Sequence, residues 1–209
     1  MTNAEMVDYL VKSGVIKTDR VKDAFLSVDR ALFTERDAGD SVYYDYPIPT
    51  LGGQTISAPT VVAVMLEELK AEEGHKILEI GSGSGYNTAL LSYIVGESGS
   101  LVSVEYMKAL HNLAKNNLSK FGKCDNVRLI CGDGSRGYGP EAPYDRIIVT
   151  AAMPYLKNHP LLKQLKEDGI LVAPIGSRMY QDIVVYEKKQ SRKVLPVMFV
   201  PLKGKYGFE

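Results

Sequence analysis

The sequence predicts an α/β fold built on a seven-stranded, mostly parallel sheet with helices on both faces. Short apolar segments alternate with segments of helical periodicity, which is the pattern of parallel strands joined by crossover helices. The strand interiors at 147–149 and 170–172 are continuously apolar, as expected for a sheet that is buried on both sides. The predicted strands are 76–80, 101–105, 127–131, 146–150, 170–175, 182–187 and 194–202.

The helices and the final pair of strands follow from spacing. Only a short connection at 190–193 separates the last two predicted strands, so we expect an antiparallel pair at the sheet edge. Apolar residues at helical spacing predict the helices 58–70, 86–95, 107–121 and 158–166.

The N-terminal part of the chain predicts two more helices and a long loop. Thr2 and Glu5 have the spacing of a capping box, and Thr18 opens a second helical pattern. From 33 to 53 the periodicity disappears and tyrosines, prolines and glycines dominate, which indicates an ordered loop with a functional role. We treat 1–209 as a single domain: 1–57 carries the helical extension and this loop, and 58–209 forms the core.

Composition excludes several classes of protein. The chain has 209 residues, with 25 Lys and Arg against 25 Asp and Glu, so it lacks the basic field of a nucleic-acid-binding protein. The cysteines, Cys124 and Cys131, and the three histidines are too scattered for a zinc site. No signal peptide or membrane-spanning run is visible, so we expect a cytoplasmic protein without metal, membrane or nucleic-acid partners.

The strongest motif runs from Glu79 to Gly85, directly after the first predicted strand of the sheet. Open α/β sheets bind ligands at this end of the strand, and glycines let the backbone approach a ligand closely. A dinucleotide fingerprint would require glycine or alanine where Tyr86 stands. The spacing of Gly81, Gly83 and Gly85, with Glu79 two residues earlier, instead resembles motif I of the S-adenosylmethionine-dependent methyltransferases.

Two further acids follow the next two predicted strands. Glu105 ends the second strand, where a carboxylate can accept hydrogen bonds from both ribose hydroxyls of a nucleoside. Asp133 lies between two glycines after the third strand, where the resemblance places an acid beside an adenine amino group. Each acid has an alternative interpretation, a solvated strand end for Glu105 and a turn for Asp133. Their joint occurrence after consecutive strands predicts S-adenosyl-L-methionine as the cofactor.

Several further segments indicate which family of methyltransferases the chain resembles. Over nearly its whole length the chain resembles the protein-L-isoaspartate O-methyltransferases, which methylate damaged aspartyl residues for repair. The resemblance implies a Rossmann-like class I methyltransferase fold. The segments that carry it are 14–21, 29–30, 52–59, 132–134, 142–145 and 200–202.

The resemblance also implies roles for individual residues. In the family, the loop matched by 54–57 closes over the cofactor and contacts the substrate carboxylate, which makes Ser57 the catalytic residue. One departure is that Thr60 and Val61 stand where the family often has His and Met, so no contact from that histidine carries over. The implied cofactor-binding residues are Gln54, Thr55, Ile56, Glu79, Gly81, Gly83, Ser84, Gly85, Glu105, Tyr106, Asp133 and Gly134.

The implied reaction is methylation of the α-carboxylate that an isoaspartyl residue exposes in a peptide or protein. A carboxylate is already ionised at pH 7, so alignment and desolvation suffice, without a general base or a metal. Two other hypotheses remain open, a methyltransferase acting on a nucleic-acid base or small molecule and a cofactor-binding module without activity. The sequence after the fourth strand, 150–154, lacks the pattern typical of base-amino methyltransferases. Ser57 also fits a purely structural role as a helix N-cap.

Overall fold

A seven-stranded sheet organises the protein. The computed structural model describes residues 1–34 and 36–208, with only the backbone described at 36–38 and 40. A separate two-stranded hairpin, β1 (Ile48–Pro49) and β2 (Thr55–Ile56), precedes the sheet. The sheet strands are β3 (Lys76–Ile80), β4 (Ser100–Glu105), β5 (Val127–Cys131), β6 (Tyr144–Val149), β7 (Leu165–Gly176), β8 (Gln181–Glu187) and β9 (Gln190–Val197).

The order of strands across the sheet is β5-β4-β3-β6-β7-β8-β9. The first five strands in this order are parallel, and β8 runs antiparallel to both of its neighbours. The predicted, mostly parallel sheet with an antiparallel pair at its edge is therefore confirmed. Strands β5, β4, β3 and β6 all present their carboxyl ends at one edge.

Five α-helices occur in the described ranges. Thr2 and Glu5 form the predicted capping box, with Thr2 N donating to Glu5 Oε2 over 2.7 Å. The Thr18 side chain caps the second helix, as predicted. None of the helices in the described ranges has the length and apolarity needed to cross a membrane. The helices are α1 (Asn3–Lys12), α2 (Asp19–Ser27), α3 (Pro59–Leu69), α4 (Tyr86–Val95) and α5 (Lys108–Phe121).

Alternate side chains of the strands belong to two different hydrophobic clusters. Ile77 belongs to a cluster that receives buried side chains from all five α-helices. Leu78 and Ile80 belong to a second cluster, which contains Leu161 of a short 3-10 helix and Leu202 near the C-terminus. The two faces of the sheet are therefore buried by different elements, α-helices against one cluster and shorter segments against the other.

The α-helix predicted at 158–166 is wrong. Asn158 takes a left-handed conformation (φ 59°), and a single 3-10 turn, Pro160–Lys163, follows it. Strand β7 then begins at Leu165, which pairs with Tyr144 of β6. Sheet pairing has overridden the helical periodicity of this segment.

The last strand also differs from its prediction at 194–202. Lys188 and Lys189 both take positive φ values, 51° and 63°, and form a two-residue hairpin turn, so β9 starts at Gln190. Such turns usually contain glycine or asparagine, and the lysine pair gave no such signal. Beyond β9 the chain leaves the hairpin, and Pro201 bridges to Ala152 beyond β6.

Candidate cofactor and acceptor site

A cavity lies at the carboxyl edge of the sheet, beside the ends of β3, β4 and β6. It holds about 940 Å³ of empty space, open solvent at its mouth included. Its walls come from the glycine-rich turn, the start of α4, the residues after β4 and β6, and the segments 54–57 and 199–203. Open α/β sheets bind ligands at this edge, and the cavity combines apolar walls with a few polar groups, as small-molecule sites do.

The glycine-rich turn needs its glycines for two different reasons. Gly81 (φ 98°) packs against Thr150, whose Oγ1 would lie 2.4 Å from an added Cβ. At Gly85 (φ 91°) an added Cβ would meet the Ala114 backbone of α5 at 3.3 Å. Gly83 (φ 55°) differs, because no described atom lies within 4 Å of the same position. Gly83 is therefore the point where the backbone is open to a ligand, while Gly85 serves helix packing and does not line the cavity.

Glu79 supports this turn from behind. Its side chain is fully buried and does not line the cavity. Oε1 accepts a hydrogen bond from Asn87 Nδ2 (2.8 Å), and Oε2 accepts from the hydroxyls of Thr88 and Ser103 (2.5 Å each). Burial raises the pKa of Glu79, although these three hydrogen bonds oppose the shift. The acid of the motif thus joins β3, β4 and α4, and it has no direct contact with the cavity.

Glu105 is buried at the end of β4, and it lines the cavity. Oε2 accepts a hydrogen bond from the backbone N–H of Gly83 (3.0 Å), and Oε1 accepts one from that of Met107 (2.8 Å). Each carboxylate oxygen can accept two hydrogen bonds, so each retains one free lone pair. This arrangement offers two adjacent acceptors to a diol.

Asp133 is placed differently from its prediction. Oδ1 accepts from Ser135 N (3.0 Å) and Ser135 Oγ (2.6 Å), and Oδ2 accepts from Arg136 Nε (3.1 Å) and Lys205 N (3.0 Å). These four bonds use its accepting capacity, and Asp133 does not line the cavity, although Gly134 does. Asp133 therefore fastens the C-terminal segment to the turn after β5, and an adenine contact would require one of these donors to leave.

The segment 54–57 reaches the cavity through the β1–β2 hairpin. Ile48 pairs with Ile56, and the turn between the strands brings Gly52 against the Met107 side chain. Ser57 lines the cavity, and its hydroxyl has no hydrogen-bond partner among the described residues. The N-cap of α3 is Ala58, so the structural interpretation of Ser57 as an N-cap is not supported.

Asp45 supplies the capping interaction that Ser57 does not make. Its Oδ1 accepts from the backbone N–H of Thr60 (2.9 Å), and its Oδ2 accepts from the Thr60 hydroxyl (2.7 Å). A carboxylate is favourable at a helix N-terminus because it satisfies unpaired N–H groups and complements the helix dipole. Asp45 therefore ties the loop before the hairpin to the first turn of α3.

The structure brings most of the predicted site residues to one cavity. Glu79, Gly85 and Asp133 support it without lining it. The predicted residues that do line it are Gln54, Thr55, Ile56, Ser57, Gly81, Gly83, Ser84, Glu105, Tyr106 and Gly134.

Sequence reasoning missed part of the wall. Ser82, Asn87 and Thr150 line the cavity, and each lies beside a predicted residue in sequence or space. The C-terminal stretch 199–203 carries no recognisable motif, and only the likeness of 200–202 to a family segment marked it. It reaches the cavity because the Ala152 N–H donates to the Val200 carbonyl over 2.8 Å, and the Leu202 N–H donates to the Ala152 carbonyl over 2.8 Å.

Together these features define a class of protein. A glycine-rich turn, a strand-end acid with two free acceptor positions and a helix N-terminus meet at the carboxyl edge of a Rossmann-like sheet that ends in antiparallel strands. This is the architecture of a class I methyltransferase. The family model of protein-L-isoaspartate(D-aspartate) O-methyltransferases matches residues 1–207, and the chain belongs to this family.

Similar proteins agree with this assignment. The Methanopyrus kandleri protein-L-isoaspartate O-methyltransferase is 43% identical over 209 residues, covering 98% of this chain and 92% of the relative. The Pyrococcus abyssi protein of the same name is 44% identical, covering 97% and 94%. A solved protein-L-isoaspartate O-methyltransferase superposes with a TM-score of 0.87 at 33% identity, covering 98% of this chain and 67% of the other.

A second solved structure bears on the cofactor. The Plasmodium falciparum protein has a TM-score of 0.86 at 27% identity, covering 97% of this chain and 99% of its own. It was crystallised with S-adenosyl-L-homocysteine.

Proposed function

We propose that the protein transfers a methyl group from S-adenosyl-L-methionine to the free α-carboxylate of L-isoaspartyl residues and so initiates their repair. One observation carries the proposal: a single cavity joins the strand-end residues suited to a nucleoside cofactor with the segment 54–57 that the family uses on its acceptor. Family membership and relatives at 43–44% identity support it.

The residues present fit the cofactor. The two free acceptor positions of Glu105 match the two hydroxyls of a ribose, and the open side of Gly83 allows close approach to the backbone. The N-terminus of α4 lies next to this turn, and its partial positive charge favours a carboxylate such as that of a methionine group. Ser84, at this helix start, is the residue that we assign to the methionine portion.

The acceptor is assigned to the Ser57 end of the cavity. S-adenosyl-L-methionine, when bound, supplies a methyl group on a sulfonium, which is an excellent leaving group. The Ser57 hydroxyl is free to donate a hydrogen bond to one oxygen of the acceptor carboxylate, which leaves the other oxygen to face the methyl group. Apolar side chains that line the cavity, such as Val62, Met65 and Phe199, exclude water from the carboxylate. Alignment and desolvation then account for the rate without proton transfer.

The proposal also covers partners and location. The substrates are peptides and proteins that contain isoaspartyl residues, and the place of action is the cytoplasm. The competing hypothesis is a methyltransferase that acts on a base or a small molecule within the same fold.

The chemistry of the product distinguishes these functions. The protein is incubated with methyl-labelled cofactor and an isoaspartyl peptide, and the labelled product is exposed to mild base. We expect the label to leave as methanol, because a carboxyl methyl ester hydrolyses readily. A label that resists base would indicate N-methylation and contradict the proposal.

A further inference from the structure

Two exposed tyrosines form a stacked pair in the loop before the β1–β2 hairpin. Tyr44 and Tyr46 are 49% and 42% exposed, and their rings lie 6.4 Å apart at an interplanar angle of 11°. The Tyr46 N–H donates to the Tyr44 carbonyl over 2.9 Å, which fixes the backbone between them. Asp45, between the two, binds the first turn of α3 through Thr60. The pair is therefore held outward on a fixed backbone.

The stacked pair is held near the acceptor end of the cavity by contacts on either side of Ser57. Neither tyrosine lines the cavity, but their loop leads into the β1–β2 hairpin, where Ile48 pairs with Ile56, the residue before Ser57. The bonds from Asp45 to Thr60 hold the loop at this position beside α3. The flat aromatic surface thus begins within a few residues of the side chain that we assign to the acceptor.

A polypeptide substrate extends beyond its reacting residue. Because the carboxylate that reacts belongs to one residue of a chain, the residues beside it must cross the mouth of the cavity. Scattered exposed apolar groups are normal, but two parallel rings held together offer a continuous surface for another aromatic or large apolar side chain.

We propose that Tyr44 and Tyr46 form a binding platform for an aromatic or large apolar side chain next to the isoaspartyl residue, and so set the flanking-residue preference. This inference rests on the proposed function, since it requires the acceptor carboxylate at the Ser57 end. The platform contributes to substrate binding and leaves the methyl transfer step unchanged.

The test compares isoaspartyl peptides that differ only in a neighbouring residue, Phe or Gly, placed on each side in turn. For Tyr44→Ala and Tyr46→Ala we expect KM of the better Phe peptide to rise about three- to tenfold, as one lost aromatic contact predicts. KM of the Gly peptides, kcat and cofactor affinity should stay within about twofold. Tyr46→Phe should keep the wild-type preference, because the ring remains.

Tyr93→Ala is the matched control. Tyr93 is 41% exposed and lies near the far end of α4, about 10 Å along the helix from Tyr86 at the cavity. This variant should leave every KM unchanged. Equal effects of the platform variants on Phe and Gly peptides, or none on either, would overturn the inference. The inference would also be overturned if the wild type sedimented as a dimer, the platform variants sedimented as monomers, and all KM values were unchanged. Methylation of the isoaspartyl peptides by the wild type separates these outcomes from failure of the proposed function.

Discussion

Asp45 and Thr60 form a two-point contact that joins the loop before the β1–β2 hairpin to helix α3. The carboxylate accepts both the backbone N–H and the hydroxyl of Thr60, at 2.9 and 2.7 Å. The loop leads into the β1–β2 hairpin at Ile48, and this hairpin positions the segment from Gln54 to Ser57. The residue that stands where the family often has His therefore serves, in this chain, to anchor the loop.

This contact predicts a coupled loss of stability and activity. Thr60→Val keeps the backbone hydrogen bond and removes the hydroxyl one, so we expect a loss of about 1 kcal/mol in the free energy of unfolding. Asp45→Ala removes both and should cost about 1–2 kcal/mol. In both variants kcat/KM for an isoaspartyl peptide should fall about three- to tenfold, because the hairpin is less firmly placed. Urea denaturation and steady-state kinetics measure the two effects.

A cap at another helix serves as the control. Thr2→Ala removes the side-chain cap of α1 and should cost a similar stability while leaving kcat/KM unchanged. If the Asp45 and Thr60 variants lose stability but keep wild-type kinetics, the contact has no role in placing the loop.

Glu105 is the acid expected to bind the ribose. Glu105→Gln keeps one carbonyl acceptor and replaces the other oxygen with an amide donor, so one cofactor bond and the backbone N–H bond to that oxygen are lost. We expect cofactor affinity to fall about tenfold or more, as loss of a charge-assisted hydrogen bond of about 1.5–3 kcal/mol predicts. Asp133→Asn is the comparison, because Asp133 already binds four donors and does not line the cavity. Calorimetry that finds a larger loss for Asp133→Asn would reverse our assignment of the two acids.

The buried carboxyl group of Glu79 should make the free energy of unfolding depend on pH. Burial raises its pKa above the ordinary value of 4.5, so the folded protein binds this proton more tightly than the unfolded chain does. The resulting stabilisation is complete below the unfolded-state pKa and is lost as the pH rises through the folded-state pKa. The unfolding free energy of wild type relative to Glu79→Gln, which cannot titrate, should therefore fall as the pH rises above the ordinary pKa of 4.5. Denaturation of both proteins across this range measures it, and a rising difference would contradict the direction of the shift.

We expect substitution of Ser57 to change the kinetics of methyl transfer without affecting the capping of α3. Because Ser57 does not cap α3, Ser57→Ala should change the free energy of unfolding by less than about 0.5 kcal/mol. Loss of its hydrogen bond to the acceptor should lower kcat/KM for the peptide about ten- to a hundredfold, with cofactor affinity little changed. Peptide kinetics and cofactor titration of the same variant separate the two parameters. Wild-type kinetics in Ser57→Ala would leave the hydroxyl without a role in the reaction.

The sequence predicted those parts of the protein that depend on local pattern. The apolar runs predicted the strands of the sheet, and the Thr2–Glu5 spacing predicted the capping box of α1. The strand-end position of Glu105 placed it at the cavity, because a carboxyl-edge site follows from parallel topology alone. These features need no knowledge of distant contacts.

The features that were missed depend on distant contacts. One of the four hydrogen bonds that Asp133 accepts comes from the distant Lys205 backbone. Asp45 caps a helix that begins well beyond it in sequence. Neighbouring residues therefore reveal neither role. The segment 158–166 forms a turn and the start of a strand because Leu165 pairs with Tyr144 of β6. Helical spacing could not anticipate that pairing.

The most direct test of the account uses two peptides of identical sequence, one with an isoaspartyl and one with a normal aspartyl linkage. Each is incubated with wild-type protein and methyl-labelled S-adenosyl-L-methionine, and base-labile label is counted. The account predicts methylation of the isoaspartyl peptide and none of its aspartyl twin, since only the isoaspartyl linkage presents an α-carboxylate to the Ser57 end of the cavity. Equal labelling of both peptides, or labelling of neither, would contradict it.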